Sequence, residues 1–285
     1  MNWIVSAFAD EAGGDCAQQI KSLQRADLKH IDIRGIEGHN ITTLPLDTAR
    51  EIKKQLEDGG IAVNMFGSPI GKIDINDDLQ GDIDRLRHLG ELAPVLDCRA
   101  VRIFSFYNKA ERPHIEWHAK SLSRLETLLD EAEKLGLVLF HENERHIFGD
   151  LCEDVLHIAP LRGDNFKLIF DFDNYNQSGE NAWENWQRLA DVTDAIHLKD
   201  SVNGQHTPVG LGGGYVREIL IDAIARGWSG PLSIEPHLSH SGAVAATGPS
   251  GVANEQFAKL PAPESFHVAA ETAMNLLREI GAPVA

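Results

Sequence analysis

Two kinds of hydrophobic pattern alternate along the whole chain. Short, nearly continuous apolar runs occupy residues 3–9, 30–34, 61–67, 100–106, 137–142, 166–171, 195–199 and 231–235. Gly, Asp, Asn or Pro bounds each run, as expected for strands covered on both faces. Between them, apolar residues recur at helical spacing over 15–26, 46–58, 77–93, 115–134, 150–159, 182–191, 216–226 and 263–280. The fourth of these is the clearest: Ile115, Leu122, Leu125, Leu128, Leu129 and Ala132 share one face, with Arg and Glu on the other.

Strict strand–helix alternation predicts a parallel sheet with helices packed outside it. Eight such units close most naturally into a single (β/α)8 TIM barrel, an α/β fold. An open doubly wound sheet is the competing solution, but no GxGxxG follows the first strand. The string Gly210-Leu211-Gly212-Gly213-Gly214 follows a loop and reads as a flexible turn before the seventh helix, not as a phosphate cradle. One domain over 1–285 suits the length of the chain. Residues 239–263, rich in Gly, Ala, Ser and Pro, form a long connection after the eighth strand. Connections of that length serve as lids or binding loops, or are surface excursions.

Composition acts mainly by exclusion. The net charge of −17 and the lack of basic stripes argue against nucleic acid as a partner. No apolar run is long enough to span a bilayer, so no membrane partner is expected. The N-terminal residues read as a strand, not a signal peptide, since no Lys or Arg precedes the apolar run. Cys16, Cys98 and Cys152 are too dispersed for a disulfide framework or a zinc knuckle, so a reducing cytoplasm is the expected location.

The chemistry is concentrated where strands end. LVLFHEN, LIFDFDN, AIHLKD and LSIEPH close the fifth to eighth runs with Glu142, Asp171, His197 and Glu235. In a (β/α)8 barrel, the C-terminal strand ends form the active site. Adjacent strands lie about 4.8 Å apart, so inward side chains from four successive strands can converge on one ion. Three carboxylates held that close repel one another unless a cation intervenes, and the O/N donor set suits a divalent metal. His141 to His146 (HENERH) superficially resembles HExxH. Its second His falls one position too late, however, and the segment ends a strand.

Other candidates flank this cluster. Lys199 follows His197 by two and His237 follows Glu235 by two, so each shares its neighbour's inward direction. Glu11 and Arg34 end the first two strands, either as substrate contacts or as an ion pair closing the barrel top. Lys72 in GSPIGK is either an oxygen-binding lysine or a solvated one. His141 should point outward and be satisfied structurally. Trp117, Trp183 and Trp186 read as barrel packing, and Phe66, Phe104 and Phe106 as an apolar pocket wall.

The strings FADE, GSPIGK, RIFSF, HENE, HLKD and IEPH, with the four strand ends, resemble the xylose isomerase-like TIM-barrel superfamily over nearly the whole chain. The resemblance is strongest to the group of ketose 3-epimerases, hydroxypyruvate isomerases and inosose dehydratases. It implies a metal-dependent sugar isomerase or epimerase with one divalent ion, Mn²⁺ foremost and Mg²⁺, Co²⁺ or Zn²⁺ compatible. Glu142, Asp171, His197 and Glu235 would be the ligands. Glu142 and Glu235 would also be the acid/base pair, working through a metal-bound cis-enediolate. A small sugar or keto-sugar would be the partner, and a homodimer or homotetramer the assembly. The chain departs from the epimerase pattern at Asn174, where those relatives carry His, and at Lys199, near which they carry Arg. Asn174 and Lys199 would then contact substrate, with His237, Arg34, Glu11 and Lys72. Some relatives act on 3-keto-glycosides by elimination or hydration, so a lyase is the alternative. An apurinic-site endonuclease fits poorly with the acidic charge and the scarcity of strand-end His. A non-catalytic sugar-binding barrel would have no need of the paired glutamates.

Overall fold

The computed structural model describes residues 2–238 and 255–284. Its centre is a closed barrel of eight strands: β1 (Ile4–Ala7), β2 (His30–Ile33), β3 (Ala62–Phe66), β4 (Ala100–Ile103), β5 (Val138–Glu142), β6 (Phe166–Asp171), β7 (Ala195–Leu198) and β8 (Pro231–Ile234). Each pairs in parallel with its sequence neighbours, and β1 closes the ring on β8 through Ile4 opposite Pro231 to Ala7 opposite Ile234. The expected α/β barrel is therefore the observed fold.

The helices alternate with the strands: α1 (Cys16–Arg25), α2 (Leu46–Asp58), α3 (Gln80–Leu96), α4 (His114–Leu135), α5 (Cys152–Ile158), α6 (Phe172–Gln177), α7 (Ala182–Leu189), α8 (Val216–Ala225), α9 (Glu255–Ala258) and α10 (Ala262–Glu279). Their apolar faces and the outward strand residues form the main core. In α4 the buried face is Leu125, Leu128 and Ala132. Full burial of each such Leu is worth about 1.5–3 kcal/mol. Among the described residues no helix is long and apolar enough to cross a membrane. Of the long connection expected over 239–263, residues 239–254 lie outside the described residues.

Strand register sets what faces the barrel axis. Asp171 lies opposite His197, His197 opposite Ser233, and Ser233 opposite Ser6, so these four side chains form one layer. One layer down, Ile169 and Ala195 form a separate apolar cluster with Met65, and Ala100 and Phe140 pack against it. This plug is the floor on which the polar layer stands. Gly71 marks a second constraint. Its φ is +88°, and a Cβ there would lie 2.1 Å from the Phe104 carbonyl oxygen, so only glycine lets the β3–α3 loop press onto the end of β4.

Three features carry no expectation from the sequence pattern. They are a hairpin of Gly35–Ile36 with His39–Asn40, a second of Asp200–Val202 with Gln205–Thr207, and the short helix α6 starting directly after β6.

Candidate active site

Glu142, Asp171, His197 and Glu235 come together at the C-terminal mouth of the barrel. Each offers one ligand atom, and those atoms all lie within 4.8 Å of one another. All four residues are buried. His197 Nδ1 lies 3.0 Å from Glu142 Oε1 and 3.3 Å from Glu235 Oε2, between the two glutamates. Asp171 serves twice. Its Oδ1 accepts the backbone N–H of Asn174 at 2.8 Å and so caps α6, which leaves Oδ2 facing the mouth. Asn143 locks the end of β5 to that of β6: its Oδ1 accepts from Asp171 N at 2.8 Å and its Nδ2 donates to Asp171 O at 3.1 Å.

The flanking candidates fall around this cluster. Arg34 holds Asp10 through two hydrogen bonds, at 2.8 and 3.0 Å, and reaches Glu235 Oε1 at 2.9 Å and Glu11 Oε1 at 3.4 Å. The ion pair closing the barrel top is thus present and includes the candidate base. Glu11 Oε2 accepts the His237 backbone N–H at 2.8 Å and thereby holds that residue at φ +50°. His237 Nε2 lies 3.4 Å from Glu235 Oε1. Asn174 Nδ2 donates to the Asn143 carbonyl at 2.7 Å and lies 3.5 Å from Glu142 Oε1. Lys199 Nζ is paired with Asp171 Oδ2 at 3.0 Å. Lys72 is not a solvated loop lysine. Its Nζ lies 2.8 Å from Glu144 Oε2 and 4.3 Å from the centroid of the Phe104 ring.

Several expectations need correction. Phe104 does line the mouth, but Phe66 and Phe106 belong to the core between sheet and helices. The wall on the opposite side is Phe8, with the Arg34 and Arg102 guanidiniums 5.0 and 4.8 Å from its ring centre. His141 is buried, but both its ring nitrogens lack a hydrogen-bond partner, so it is not satisfied. The glycine string is not a flexible turn. Gly210, Gly212 and Gly214 each donate a backbone N–H to the Asp200 carboxylate, at 3.0, 2.9 and 3.0 Å.

Charges explain how the cluster tolerates burial. Burial would raise the Glu142 carboxyl, but the charges of His197 and Arg102 outweigh it and hold the group down to about 2. Glu235 lies well below the usual carboxylate range because Lys199 and Arg102 overcome its burial. Asp171 goes the other way: burial lifts it well above that range in spite of Lys199. Burial works against the His197 imidazolium, yet the Glu142 carboxylate raises it to about 10. At the rim, burial pushes Glu11 up to about 8 and His237 down to about 3.

The sequence matches the family model described as Xylose isomerase-like TIM barrel over residues 21–257. The chain belongs to that family. Among solved structures it is similar to a xylose isomerase-like TIM-barrel protein from Mycobacterium smegmatis in complex with magnesium, at 17% identity and TM-score 0.71, covering 99% of this chain and 98% of that one. It is similar to 3-keto-D-glucoside 4-epimerase, YcjR, from E. coli at 12% identity and TM-score 0.71, with 97% and 100% covered. A D-psicose 3-epimerase crystallised in the presence of D-fructose gives 14% identity and TM-score 0.70, with 97% and 98% covered. No curated protein matches the sequence significantly.

The donor set of this xylose isomerase-like barrel fits a divalent cation. Glu142 Oε2, Asp171 Oδ2 and Glu235 Oε2 are buried and accept no well-aligned hydrogen bond, having only charge contacts with Arg102, Lys199 and His197. Burial lifts the Asp171 carboxyl because Lys199 alone does not offset it, and a cation at the mouth would let it ionise. Carboxylate and imidazole donors in this ratio suit Mn²⁺, Mg²⁺, Co²⁺ or Zn²⁺.

Besides Phe8, Asp10 and Asn143, four site residues carried no expectation from sequence. Arg102 Nη1 lies 3.2 Å from Glu142 Oε2 and 3.2 Å from Glu235 Oε1, bridging the two glutamates. The signal was a lone charge in the apolar run AVRI. Glu144 sits two residues beyond Glu142 and shares its direction. Asp173 and His206 pair at 2.9 Å, and the His206 ring stands 5.2 Å from that of His237. His206 lies on the unforeseen hairpin, so no strand-end pattern could have indicated it.

Proposed function

We propose that this chain is a divalent-metal-dependent sugar isomerase or epimerase in which Glu142 and Glu235 are the acid/base pair. The observation that carries this reading is the placement of those two buried carboxylates on either side of His197 Nδ1, at 3.0 and 3.3 Å. Glu142, Asp171, His197 and Glu235 would hold the ion, with Mn²⁺ foremost. When bound, the ion supplies Lewis acidity to a substrate carbonyl and its neighbouring hydroxyl.

The chain's own groups account for the rest. One glutamate takes the proton from the carbon beside the carbonyl, giving an enediolate. The other, protonated from solvent as the substrate binds, gives that proton either to the opposite face of the same carbon for epimerisation or to the next carbon for isomerisation, and the first then releases its proton to solvent. Arg102 touches both glutamates and favours their ionised forms before substrate arrives. Arg34, Glu11 and His237, with Asn174, Lys199 and Lys72, would bind sugar hydroxyls, a reading supported by their contacts with the cluster and its rim. His206, held by Asp173, would join them. Phe8 and Phe104 supply apolar walls that exclude water from the enediolate. The three cysteines are buried and unpaired, which supports a reducing cytoplasm as the location.

Solvent isotope exchange tests the proposal. Tag-free protein with Mn²⁺ is incubated in D2O with D-fructose, D-psicose and a 3-keto-glucoside, and products are followed by NMR. Deuterium should appear on the carbon beside the carbonyl of at least one of them. Glu235→Gln should slow that exchange by about 100-fold to 10,000-fold, the usual contribution of a positioned acid or base. An undiminished rate in Glu235→Gln would refute the two-base assignment. Exchange accompanied by loss of water would assign the lyase reaction instead.

A further inference from the structure

A second cluster of imidazoles lies in the helix layer, between α4 and α5, and shares no residue with the mouth cluster. His114 and His118 stand four residues apart on α4 and so share one helix face. Asp154 and His157 stand three apart on α5 and share a face in the same way. The two faces meet. His114 Nε2 lies 2.8 Å from Asp154 Oδ1, and the His118 and His157 ring centres are 4.6 Å apart. The His114 and His118 ring centres are 6.5 Å apart. Phe148 is stacked on His118 at 5.3 Å and lies 5.7 Å from His114, and gives these two rings an apolar backing.

We propose that His114, His118 and His157 form a binding site for a borderline transition-metal ion such as Zn²⁺, Ni²⁺ or Co²⁺, with Asp154 orienting His114. Imidazole-rich donor sets with one carboxylate select these ions over Mg²⁺ or Mn²⁺. Two imidazoles bound to one tetrahedral ion hold their ring centres about 5 Å apart, between the two spacings seen here. The remaining adjustment falls on His114, whose side chain is 58% exposed and can swing about its Nε2 contact with the Asp154 side chain, which is 7% exposed. A buried carboxylate holding one nitrogen of a ligand His is the usual outer support of such sites. Bound there, an ion would cross-link α4 to α5.

The site is independent of the barrel-mouth cluster and can be tested apart from it. Tag-free wild type, Glu142→Ala/Glu235→Ala and His118→Ala/His157→Ala are titrated with Zn²⁺ by calorimetry and with Co²⁺ by visible absorption. Circular dichroism checks the fold of each. The barrel variant should retain one equivalent of Zn²⁺ and a nitrogen-rich Co²⁺ spectrum. The surface variant should lose one equivalent relative to wild type. Asp154→Asn should weaken that equivalent by about tenfold or more, as loss of an orienting carboxylate does elsewhere. If His118→Ala/His157→Ala should misfold, His118→Gln/His157→Gln serves in its place. Unchanged stoichiometry and affinity in the surface variant, or no Zn²⁺ on the barrel variant, would overturn the proposal.

Discussion

Arg102 is the residue on which the electrostatics of the mouth turn. It projects inward from β4 and touches Glu142 and Glu235 at the same distance, 3.2 Å. Replacing it with Met keeps its stem but leaves both carboxylates short of a counter-charge. Breaking a buried ion pair from one side costs about 3–5 kcal/mol. We expect Arg102→Met to lose about 3 kcal/mol in EDTA and to recover most of it in Mn²⁺, since a bound cation restores the charge. Urea denaturation in both conditions measures this. Equal losses would mean that Arg102 matters through its packing on Phe8 and Phe104 instead. His141 gives a prediction in pH. Its folded imidazole is held to about 3 by burial, against an ordinary 6.5. Below 6.5 the unfolded chain takes up a proton that the folded chain refuses, so this contribution is complete above 6.5 and is lost as pH falls towards 3. Each pH unit in that window costs about 1.4 kcal/mol. From about pH 7 to about pH 5 the wild type should lose on the order of 2 kcal/mol from this group that His141→Leu keeps. Parallel urea curves at those two pH values decide it, and equal pH sensitivity would show that His141 is not the source. The four mouth residues could be read from sequence because each is a charged or polar group closing an apolar strand, where burial is costly unless the groups share a site. Arg102 left a weaker signal, a lone charge inside the apolar run AVRI and not at its end, and only the closed barrel shows which carboxylates it meets.

At the scale of elements, the barrel strands fall within the expected runs because burial on both faces leaves a continuous apolar signature. The hairpin Asp200–Thr207 left none: two strands of three residues each have no periodicity to detect. Its stability rests on the glycine string, whose backbone N–H groups converge on Asp200. A Cβ on Gly212 would lie 2.2 Å from Asp200 Oδ1 and 2.6 Å from the Ser201 carbonyl, whereas on Gly213 the nearest such atom is 3.6 Å away. Gly212→Ala should therefore cost about 1–3 kcal/mol, as overpacking does. Gly213→Ala should stay within about 0.5 kcal/mol of wild type. Because the same hairpin carries His206, Gly212→Ala should also weaken substrate binding if His206 contacts the sugar. Thermal melts of the two variants, followed by KM for whichever substrate shows isotope exchange, separate these effects.

Across the whole molecule, the mouth joins the two halves of the chain. Glu142, Asp171, His197 and Glu235 come from β5 to β8, whereas Arg34, Arg102 and Phe8 come from the first half. The ring closes where β1 pairs with β8, and the chain ends reinforce it: Trp3 N donates to the Pro283 carbonyl at 2.7 Å and Trp3 Nε1 to the Trp228 carbonyl at 2.8 Å. An ion held by β5 to β8 also relieves the charge that Arg34 and Arg102 now balance, so it should stabilise the barrel as one unit. Ligand present at about 100 times its Kd adds about 2.7 kcal/mol to a folded state that alone binds it. For a chain of this size that is a rise in Tm of roughly 5 °C or more. Mn²⁺ is the ion to use, because it is the weakest of its series for imidazole-rich sites and leaves the α4–α5 histidines largely empty. In calorimetry the wild type should show one transition that Mn²⁺ shifts upward, and Glu142→Ala/Glu235→Ala should show no shift. An equal shift in that variant would move the stabilising ion away from the barrel mouth and remove the physical basis for the two-glutamate mechanism.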